Sequence, residues 1–221
     1  MARPRATTYG DQQAQIMAAA AALFARRGYT ATTMNEVAAA SGVSKATLYH
    51  YFKDKSGLLE QIALGHIRRL QALVLNVPQT PQTPQTEQRL RLLIEGFMAA
   101  YAGAQHQHRV LTEDVRFLPD AARRAVIDGQ RDVVAAFADA VAQARPDLGG
   151  DLHKPLAMLL FGMINWTFTW LRPQGRLKHA DLAPIVCDLF LGGLAALNAA
   201  GAGNKKMGRP ARPPRVASTL I

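Results

Sequence analysis

The sequence predicts an all-α protein, and three observations support that class. Apolar residues recur with the helical period along most of the chain, as at Ile16, Ala19, Ala20, Leu23 and Phe24. No stretch shows the strict alternation of apolar and polar residues that is typical of a half-buried strand. Residues that favour helix starts and helix stops divide the periodic stretches into separate helices.

Three short helices are predicted within the first 55 residues. Gly28 ends the first of them, because glycine commonly terminates a helix. Thr33 and Glu36 have the spacing of a capping box, in which each side chain satisfies a free backbone N–H at the start of the second helix. Gly42 then supplies a tight turn, and Ser44 caps the third helix. The three helices are expected at 11–27, 34–40 and 45–51.

Six further helices are predicted, which gives about nine in total. One starts near Ser56 and ends before VPQTPQTPQTEQ (77–88), where prolines indicate a surface loop. Five helices follow this loop. Breaks near Gln105–Arg109 and at Pro119 flank a short one, and a longer one ends near Arg145. The last two, at about 152–171 and 180–198, are apolar almost all round.

The charge distribution indicates a polyanionic partner. The 221 residues carry a formal net charge of +10, and residues 201–221 contain five basic residues and no acidic residue. Basic ends suit nucleic acid or an anionic membrane surface. Membrane insertion is not expected, because the most apolar run, 155–171, is shorter than the ~20 residues of a span and contains Asn165. The N-terminus also lacks the apolar core of a signal peptide.

The single cysteine, Cys187, excludes an intrachain disulfide and suits a reducing interior. We therefore expect a cytoplasmic protein. Cys187 lies in an apolar stretch with no base nearby, so it is expected in the core. His106 and His108 are followed by Glu113 and Asp114, but their spacing would put the two rings on opposite sides of a helix. A polar bend without a metal is expected there. We find no nucleophile, base and acid with informative spacing, and expect no enzyme and no cofactor.

The segment SGVSKATLYHYFKDK (41–55) predicts a helix-turn-helix, whose second helix enters the DNA major groove. Ala46 and Leu48 are expected to be buried, with Phe52 just beyond. The remaining side chains then point outward, toward bases or phosphates. The expected DNA-facing residues are Ser44, Lys45, Thr47, Tyr49, His50, Tyr51 and Lys55. The alternative is a helical hairpin with no ligand.

The N-terminal region resembles the TetR family of bacterial repressors over about residues 11–64. The matching residues are Thr33, Val37, Ala38, Ser41, Gly42, Val43, Ser44, Thr47, Leu48, Tyr49, Tyr51, Phe52, Lys55, Leu58 and Leu59, preceded by the segment 21–33. The resemblance implies that Thr33, Lys45, Thr47, Tyr49, His50 and Lys55 contact DNA. It also implies a variable helical domain that binds an effector and forms a homodimer through its last two helices.

Four segments follow from these observations. They are a flexible basic arm (1–10), a helix-turn-helix DNA-binding domain (11–55), a ligand-binding and dimerisation domain (56–200) and a disordered basic tail (201–221). The expected fold is therefore an N-terminal three-helix head followed by a C-terminal helical bundle. The expected function is a ligand-responsive repressor that binds a pseudo-palindromic, double-stranded operator as a homodimer.

Residues 155–194 are similar to a TetR subgroup that controls fatty-acid, aromatic-acid or sterol catabolism, and several of its members respond to acyl-CoA thioesters. This similarity implies an acyl-CoA as the small-molecule effector. The candidate ligand residues are Phe97, Met98, Tyr101, Phe117, Asn165, Trp166 and Phe168. The candidate headgroup partners are Arg109, Arg116, Arg123 and Arg124, unless these four form a solvated face.

The aromatic residues near the C-terminus also allow a second interpretation, which is dimer packing. Helices that are apolar on all sides need a partner beyond their own subunit. The candidate dimer residues are Gly162, Trp170, Leu189 and Gly193. Two rival functions remain: a non-specific architectural DNA binder that uses its basic ends, including the Gly208–Pro210 segment, and a helical ligand-binding protein with a vestigial DNA head.

Overall fold

The computed structural model describes residues 9–78, 86–172 and 174–198, and these ranges are helical with no strand. The predicted all-α class is confirmed. Most of the basic arm, most of the PQT loop and the basic tail lie outside the described residues. The elements are α1 (Tyr9–Arg27), α2 (Met34–Ser41), α3 (Lys45–Tyr51), α4 (Lys55–Asn76), α5 (Thr86–Ala102), α6 (Gln105–Glu113), a 3₁₀ turn (Val115–Phe117), α7 (Asp120–Ala144), α8 (Gly150–Asn165), α9 (Thr167–Trp170) and α10 (His179–Ala196).

The chain divides into two compact units, and α4 and α7 contribute residues to both. In its described part, the first unit contains residues 9–69 and 104–128. The second contains residues 70–78, 86–103, 129–172 and 174–198.

The first unit is built around α1. This helix packs against α2 and α6, and α2 packs against α3. Its buried side chains recur at helical spacing, and Ile16, Ala20 and Phe24 have almost no exposed surface. Leu48 and Phe52 complete the core from the α3 side. Burial of these apolar side chains holds α3 in a fixed position relative to α1 and α2.

The second unit is built around the packing of α5 on α10. Three fully or nearly buried phenylalanines, Phe97, Phe137 and Phe161, form a cluster with ring centroids 4.7–6.0 Å apart. Cys187 is buried, as predicted, and burial raises the pKa of its thiol to about 11. Among the described helices, α10 has the length and apolar composition of a membrane span, which core helices share, and eight of its residues are buried.

Three local predictions are wrong. The expected break near Gln105–Arg109 is the helix α6, because His108 is buried beside His66 with ring centroids 5.7 Å apart. The polar bend proposed for the two histidines is therefore a helix with one buried face. The helix expected over 152–171 ends at Asn165 and is followed by the short α9. Ala46 is exposed, since Leu48 alone fills the core from α3.

Candidate nucleic-acid interface

The start of α2 has the predicted capping box. The Glu36 backbone N–H donates to Thr33 Oγ1 at 3.3 Å, and the Thr33 backbone N–H donates to Glu36 Oε2 at 2.8 Å. The Glu36 carboxylate accepts hydrogen bonds from the Thr33 N–H and hydroxyl, and these bonds, with Arg27 2.6 Å away, hold the pKa of Glu36 below its ordinary value. The charged carboxylate therefore fixes the first turn of α2.

The turn between α2 and α3 depends on glycine. Gly42 has φ 69° and ψ 22°, a left-handed conformation that other residues rarely adopt. The Val43 N–H donates to Ala38 O at 3.1 Å, which closes the end of α2. The Thr47 backbone N–H donates to Ser44 Oγ at 3.0 Å and caps α3. Local chemistry thus sets the angle at which α3 leaves the turn.

The exposed face of α3 carries the residues expected to read bases. Lys45 is exposed, and its Nζ lies 5.9 Å from the centre of the Tyr49 ring, which is 45% exposed. The Ser44 and Thr47 hydroxyls are 2.8 Å apart and bond each other. Ser44 therefore has a capping role, while the Thr47 methyl and the Lys45 ammonium remain available for base edges.

His50 and Tyr51 differ from the expectation of freely outward rings. Tyr9 packs against both of them, with centroids 6.2 Å from His50 and 4.5 Å from Tyr51. The half-buried Tyr51 donates a hydrogen bond of 2.9 Å to Gln12 Oε1 on α1. Tyr51 faces α1, whereas His50 is exposed. The aromatic run therefore supports α1 through Tyr51 and leaves His50 accessible to a partner.

Lys55 holds the segment between α1 and α2. Its Nζ donates to the carbonyl oxygens of Tyr29 at 2.9 Å, Thr30 at 3.3 Å and Thr32 at 2.8 Å. It also lies 4.5 Å from the centre of the Tyr29 ring. An ammonium group has three donors, and all three are engaged here. A direct phosphate contact by Lys55 stays a prediction, and the geometry favours a supporting role.

These residues surround an open depression at one end of the first unit. It is lined by Thr30, Thr32, Thr33, Met34, Asn35, Lys45, Tyr49 and Lys55. Hydroxyls, backbone groups and two ammonium groups converge there, and this is the chemistry of phosphate contacts that fix the register of a protein on DNA. Four of the predicted DNA-facing residues, Thr33, Lys45, Tyr49 and Lys55, therefore line one depression, whereas Ser44, Thr47, His50 and Tyr51 are not among its lining residues. Sequence reasoning missed Tyr9, because its role depends on packing against α3.

Comparison with known proteins supports this geometry. The family model "Bacterial regulatory proteins, tetR family" matches residues 16–62, and the model "Tetracyclin repressor-like, C-terminal domain" matches residues 83–194. The chain belongs to the TetR family. It is a DNA-binding transcriptional regulator of the helix-turn-helix type.

Similar proteins span nearly the whole of this regulator. The transcriptional repressor KstR2 of Mycobacterium tuberculosis is 26% identical over 83% of this chain and 93% of its own. A TetR-family regulator from Bordetella parapertussis is 34% identical, with a TM-score of 0.75 over 86% of this chain and 99% of that one. AibR, solved with isovaleryl coenzyme A and operator DNA, is 24% identical, with a TM-score of 0.68 over 80% and 97%.

The candidate ligand residues are divided between the two units of this regulator. Phe117 belongs to the first unit, where it stacks on Tyr29 with ring centroids 5.1 Å apart. The other six belong to the second unit, which contains the buried Phe97, Met98 and Tyr101 and, near the C-terminal end of α8, Asn165, Trp166 and Phe168.

Within the second unit, Tyr101 donates a hydrogen bond of 2.7 Å to Asn165 Oδ1. Two of the candidate ligand residues therefore bond each other. Trp166 is 63% exposed, which argues against a place in a buried ligand pocket. Its exposure favours the dimer-packing interpretation.

The candidate headgroup arginines lie at the surface of the first unit. Arg109 pairs with Glu113 at 2.9 Å, and Arg123 pairs with Asp120 at 2.7 Å. Arg116 lies 4.8 Å from the centre of the Phe117 ring, and Arg124 is exposed. This distribution favours the solvated-face alternative. Within the described ranges, no group of three or more His, Cys, Asp and Glu residues is arranged to hold a metal ion.

The candidate dimer residues share an exposed apolar surface on α8, α9 and α10. Helices α8 and α10 pack against each other. Leu159 and Gly162 on α8 and Trp166 directly after it follow helical spacing, and Ile185, Leu189 and Gly193 do so on α10. Large apolar side chains on this surface are 48–65% exposed. We call it the C-terminal apolar surface; its exposed members are Leu159, Gly162, Trp166, Trp170, Ile185, Leu189, Gly192 and Gly193.

Proposed function

We propose that this TetR-family regulator is a homodimeric repressor that binds a pseudo-palindromic operator and releases it when a small-molecule effector, an acyl-CoA, binds. The observation that carries the proposal is the exposed face of α3, where Lys45 and Tyr49 border a polar depression. It acts in the cytoplasm, where its DNA partner lies. No part of this function requires catalysis.

Base reading is assigned to Lys45 and Thr47, near the N-terminus of α3. A lysine ammonium donates to guanine O6 and N7, and a threonine methyl contacts the thymine methyl group. Thr33, Tyr49 and His50 lie around them and contact phosphates, which fixes the register of α3 in the groove. Ser44, Tyr51 and Lys55 hold α3 and its surroundings in position.

Dimerisation is assigned to the C-terminal apolar surface, with a second copy of the chain as its occupant. Exposed tryptophan and leucine side chains beside glycines favour close packing of helices. A model Cβ placed on Gly162 or Gly193 meets no atom within 4 Å in the protomer, so space for a partner helix exists there. A two-fold dimer presents two recognition helices about one DNA turn apart, ~34–36 Å, which matches a pseudo-palindromic operator.

The effector class is supported by two proteins of the same fold. AibR was solved with isovaleryl coenzyme A, and a fatty acid degradation regulator, FadR from Bacillus halodurans, has the same fold, with a TM-score of 0.64. In the present chain, apolar helices of the second unit would bind the acyl group. The effector releases DNA only to the extent that it binds the released conformation more tightly, and DNA weakens effector binding by the same factor.

Selection of bound sequences from random DNA, followed by footprinting of the full-length protein, tests the operator assignment. A pseudo-palindromic footprint with half-sites one turn apart is expected. Protection without sequence preference would instead indicate an architectural DNA binder. A release assay on that operator with acyl-CoAs, free acids and planar aromatics then tests the effector, and release by aromatics alone would overturn the acyl-CoA assignment.

A further inference from the structure

Arg89 is a buried cation with no carboxylate partner among the residues that the structure describes. Its side chain lies in α5 and is only 3% exposed. Neither Nε nor Nη1 has a hydrogen-bond partner. A buried guanidinium normally has its donors satisfied, because removal of a charge from water is costly unless an anion or several acceptors replace the water.

No side-chain carboxylate of this protein fills that role. All 16 aspartates and glutamates lie within the described residues. The neighbouring Arg91 pairs with Asp188 at 3.2 Å, and Arg145 pairs with Asp147 at 2.7 Å, whereas none of the ion pairs among the described residues includes Arg89. The remaining segments, 1–8, 79–85, 173 and 199–221, contain no acidic side chain. An anion that pairs with Arg89 is therefore not a carboxylate side chain of its own chain.

The position of Arg89 in its helix also favours the binding of an anion beside it. Arg89 is the fourth residue of the 17-residue α5, close to the end where free backbone N–H groups create partial positive charge. A lone cation is disfavoured at that end. An anion beside Arg89 would interact favourably with both the guanidinium and the helix terminus.

The chemistry next to Arg89 is apolar. Residues four apart are neighbours on a helix surface, and the successive neighbours that follow Arg89, which are Leu93, Phe97 and Tyr101, are all buried. A charged group at Arg89 thus stands at the end of an apolar stripe. This combination suits an amphipathic organic anion, with the charged group at Arg89 and the apolar part along α5.

We propose that Arg89 binds the anionic group of the effector, which is a carboxylate or a phosphate attached to an apolar chain. This inference rests on the proposed effector-controlled function and deepens it. It replaces the surface arginines Arg109 and Arg123, which already have carboxylate partners, as the group that recognises the effector's charge.

Thermal unfolding of the full-length protein tests the inference without DNA. The probes are octanoate, octanamide and octanoyl-CoA, at ionic strength matched with sodium chloride. The variants are Arg89→Met, which keeps an unbranched apolar stem and removes the guanidinium, Arg89→Lys, which keeps the charge, and Arg91→Met as the matched control on the same helix. A probe at ten times its Kd raises Tm by about 3–6 °C.

We expect octanoate or octanoyl-CoA to raise the Tm of wild type and Arg91→Met, with no rise in Arg89→Met and a partial rise in Arg89→Lys. A rise with octanoate alone identifies a carboxylate, and a rise with octanoyl-CoA alone identifies a phosphate. Three results would overturn the inference: an equal rise with octanamide, a full rise in Arg89→Met, or no rise with any probe in wild type.

The operator-release assay separates this inference from the proposed function. If the anionic probes raise Tm through Arg89 but leave operator binding unchanged, the anion site stands and effector-controlled release fails. If a probe releases DNA equally from wild type and from Arg89→Met, relative to each protein's own operator affinity, release stands and the role of Arg89 fails.

Discussion

Tyr101 Oη donates a hydrogen bond of 2.7 Å to Asn165 Oδ1, and this bond joins α5 to the last residue of α8. Tyr101 is almost fully buried, and burial raises the pKa of its phenol well above the ordinary value. The hydroxyl therefore stays protonated and remains a donor at every ordinary pH. The bond couples the helix that carries Arg89 to the helix that carries part of the C-terminal apolar surface.

Tyr101→Phe is expected to lower the free energy of unfolding by about 0.5–1.5 kcal/mol, because Asn165 Oδ1 loses its donor in a half-buried site. A double-mutant cycle with Asn165→Ala, measured by urea unfolding, isolates the pair. The expected coupling energy is of similar size, about 1 kcal/mol. Additive effects of the two substitutions would show that the bond contributes nothing to stability.

Lys45→Ala is expected to relax base preference at one operator position, at a cost of about 1–3 kcal/mol for the preferred base. Tyr49→Ala should weaken binding to all sequences alike, because its proposed contact is with phosphate. Titrations against the selected operator and its single-base variants measure both effects. Lys53→Ala, an exposed lysine just after α3, is the control. Full retention of sequence preference in Lys45→Ala would remove Lys45 from the base-reading set.

Lys55→Met is expected to weaken operator binding for all sequences while leaving its salt dependence unchanged. The substitution removes three hydrogen bonds to the segment before α2, so stability should fall by about 1.5–3 kcal/mol. Loss of a direct phosphate contact would instead reduce the slope of log K against log salt by about 1. The salt slope of Lys55→Met, compared with Lys53→Met, therefore distinguishes a supporting role from a phosphate contact.

The helix-turn-helix could be predicted from the sequence because its determinants are local. The capping box joins Thr33 to Glu36, three residues apart. The Ser44 side chain caps α3 by accepting a hydrogen bond from the Thr47 N–H, also three residues away. Gly42 adopts the left-handed conformation that its residue type favours. Interactions over three or four residues are encoded by residue type and spacing, so no knowledge of the tertiary fold is needed.

The features that sequence reasoning missed depend on distant parts of the chain. Lys55 bonds carbonyl groups 23–26 residues away. The polar run around His108 is helical, because α6 packs against α1 and buries one of its histidines. Arg89 is an arginine among 26 basic residues, and nothing in its local sequence indicates burial. Only the packed structure distinguishes these side chains from solvated ones.

Gly193→Arg is expected to convert the proposed dimer into monomers with poor operator affinity, because it places a charge in the C-terminal apolar surface. Nothing lies within 4 Å of a Cβ at this position in the protomer, so the fold itself should tolerate the change. Sedimentation velocity and circular dichroism measure assembly and folding. Gly149→Arg, at an equally open position before α8, is the control. If Gly193→Arg remained a dimer, the interface would have to lie elsewhere on the molecule.

His66→Leu is expected to remove an acid-sensitive part of stability. Burial, with the charge of Arg69 nearby, lowers the pKa of His66 from 6.5 to about 4, and its ring faces the buried His108. The folded state therefore binds this proton more weakly than the unfolded state. The contribution is complete above the unfolded pKa of 6.5 and is lost as the pH falls toward about 4.

The expected contribution of His66 to the free energy of unfolding is up to about 3 kcal/mol, at ~1.36 kcal/mol for each unit of pKa. Asp114 acts in the opposite direction, since burial, followed by the nearby charge of Glu113, raises its pKa to about 6. Its contribution is present below the unfolded pKa of 3.8 and is lost as the pH rises toward about 6. Asp114→Asn should therefore steepen the loss of stability on acidification, and His66→Leu should flatten it. Urea unfolding at several pH values from about 7 to about 4 measures both slopes. If the curves of wild type and His66→Leu run parallel over that range, the proton linkage assigned to His66 is wrong, and the buried histidine pair contributes to stability by packing alone.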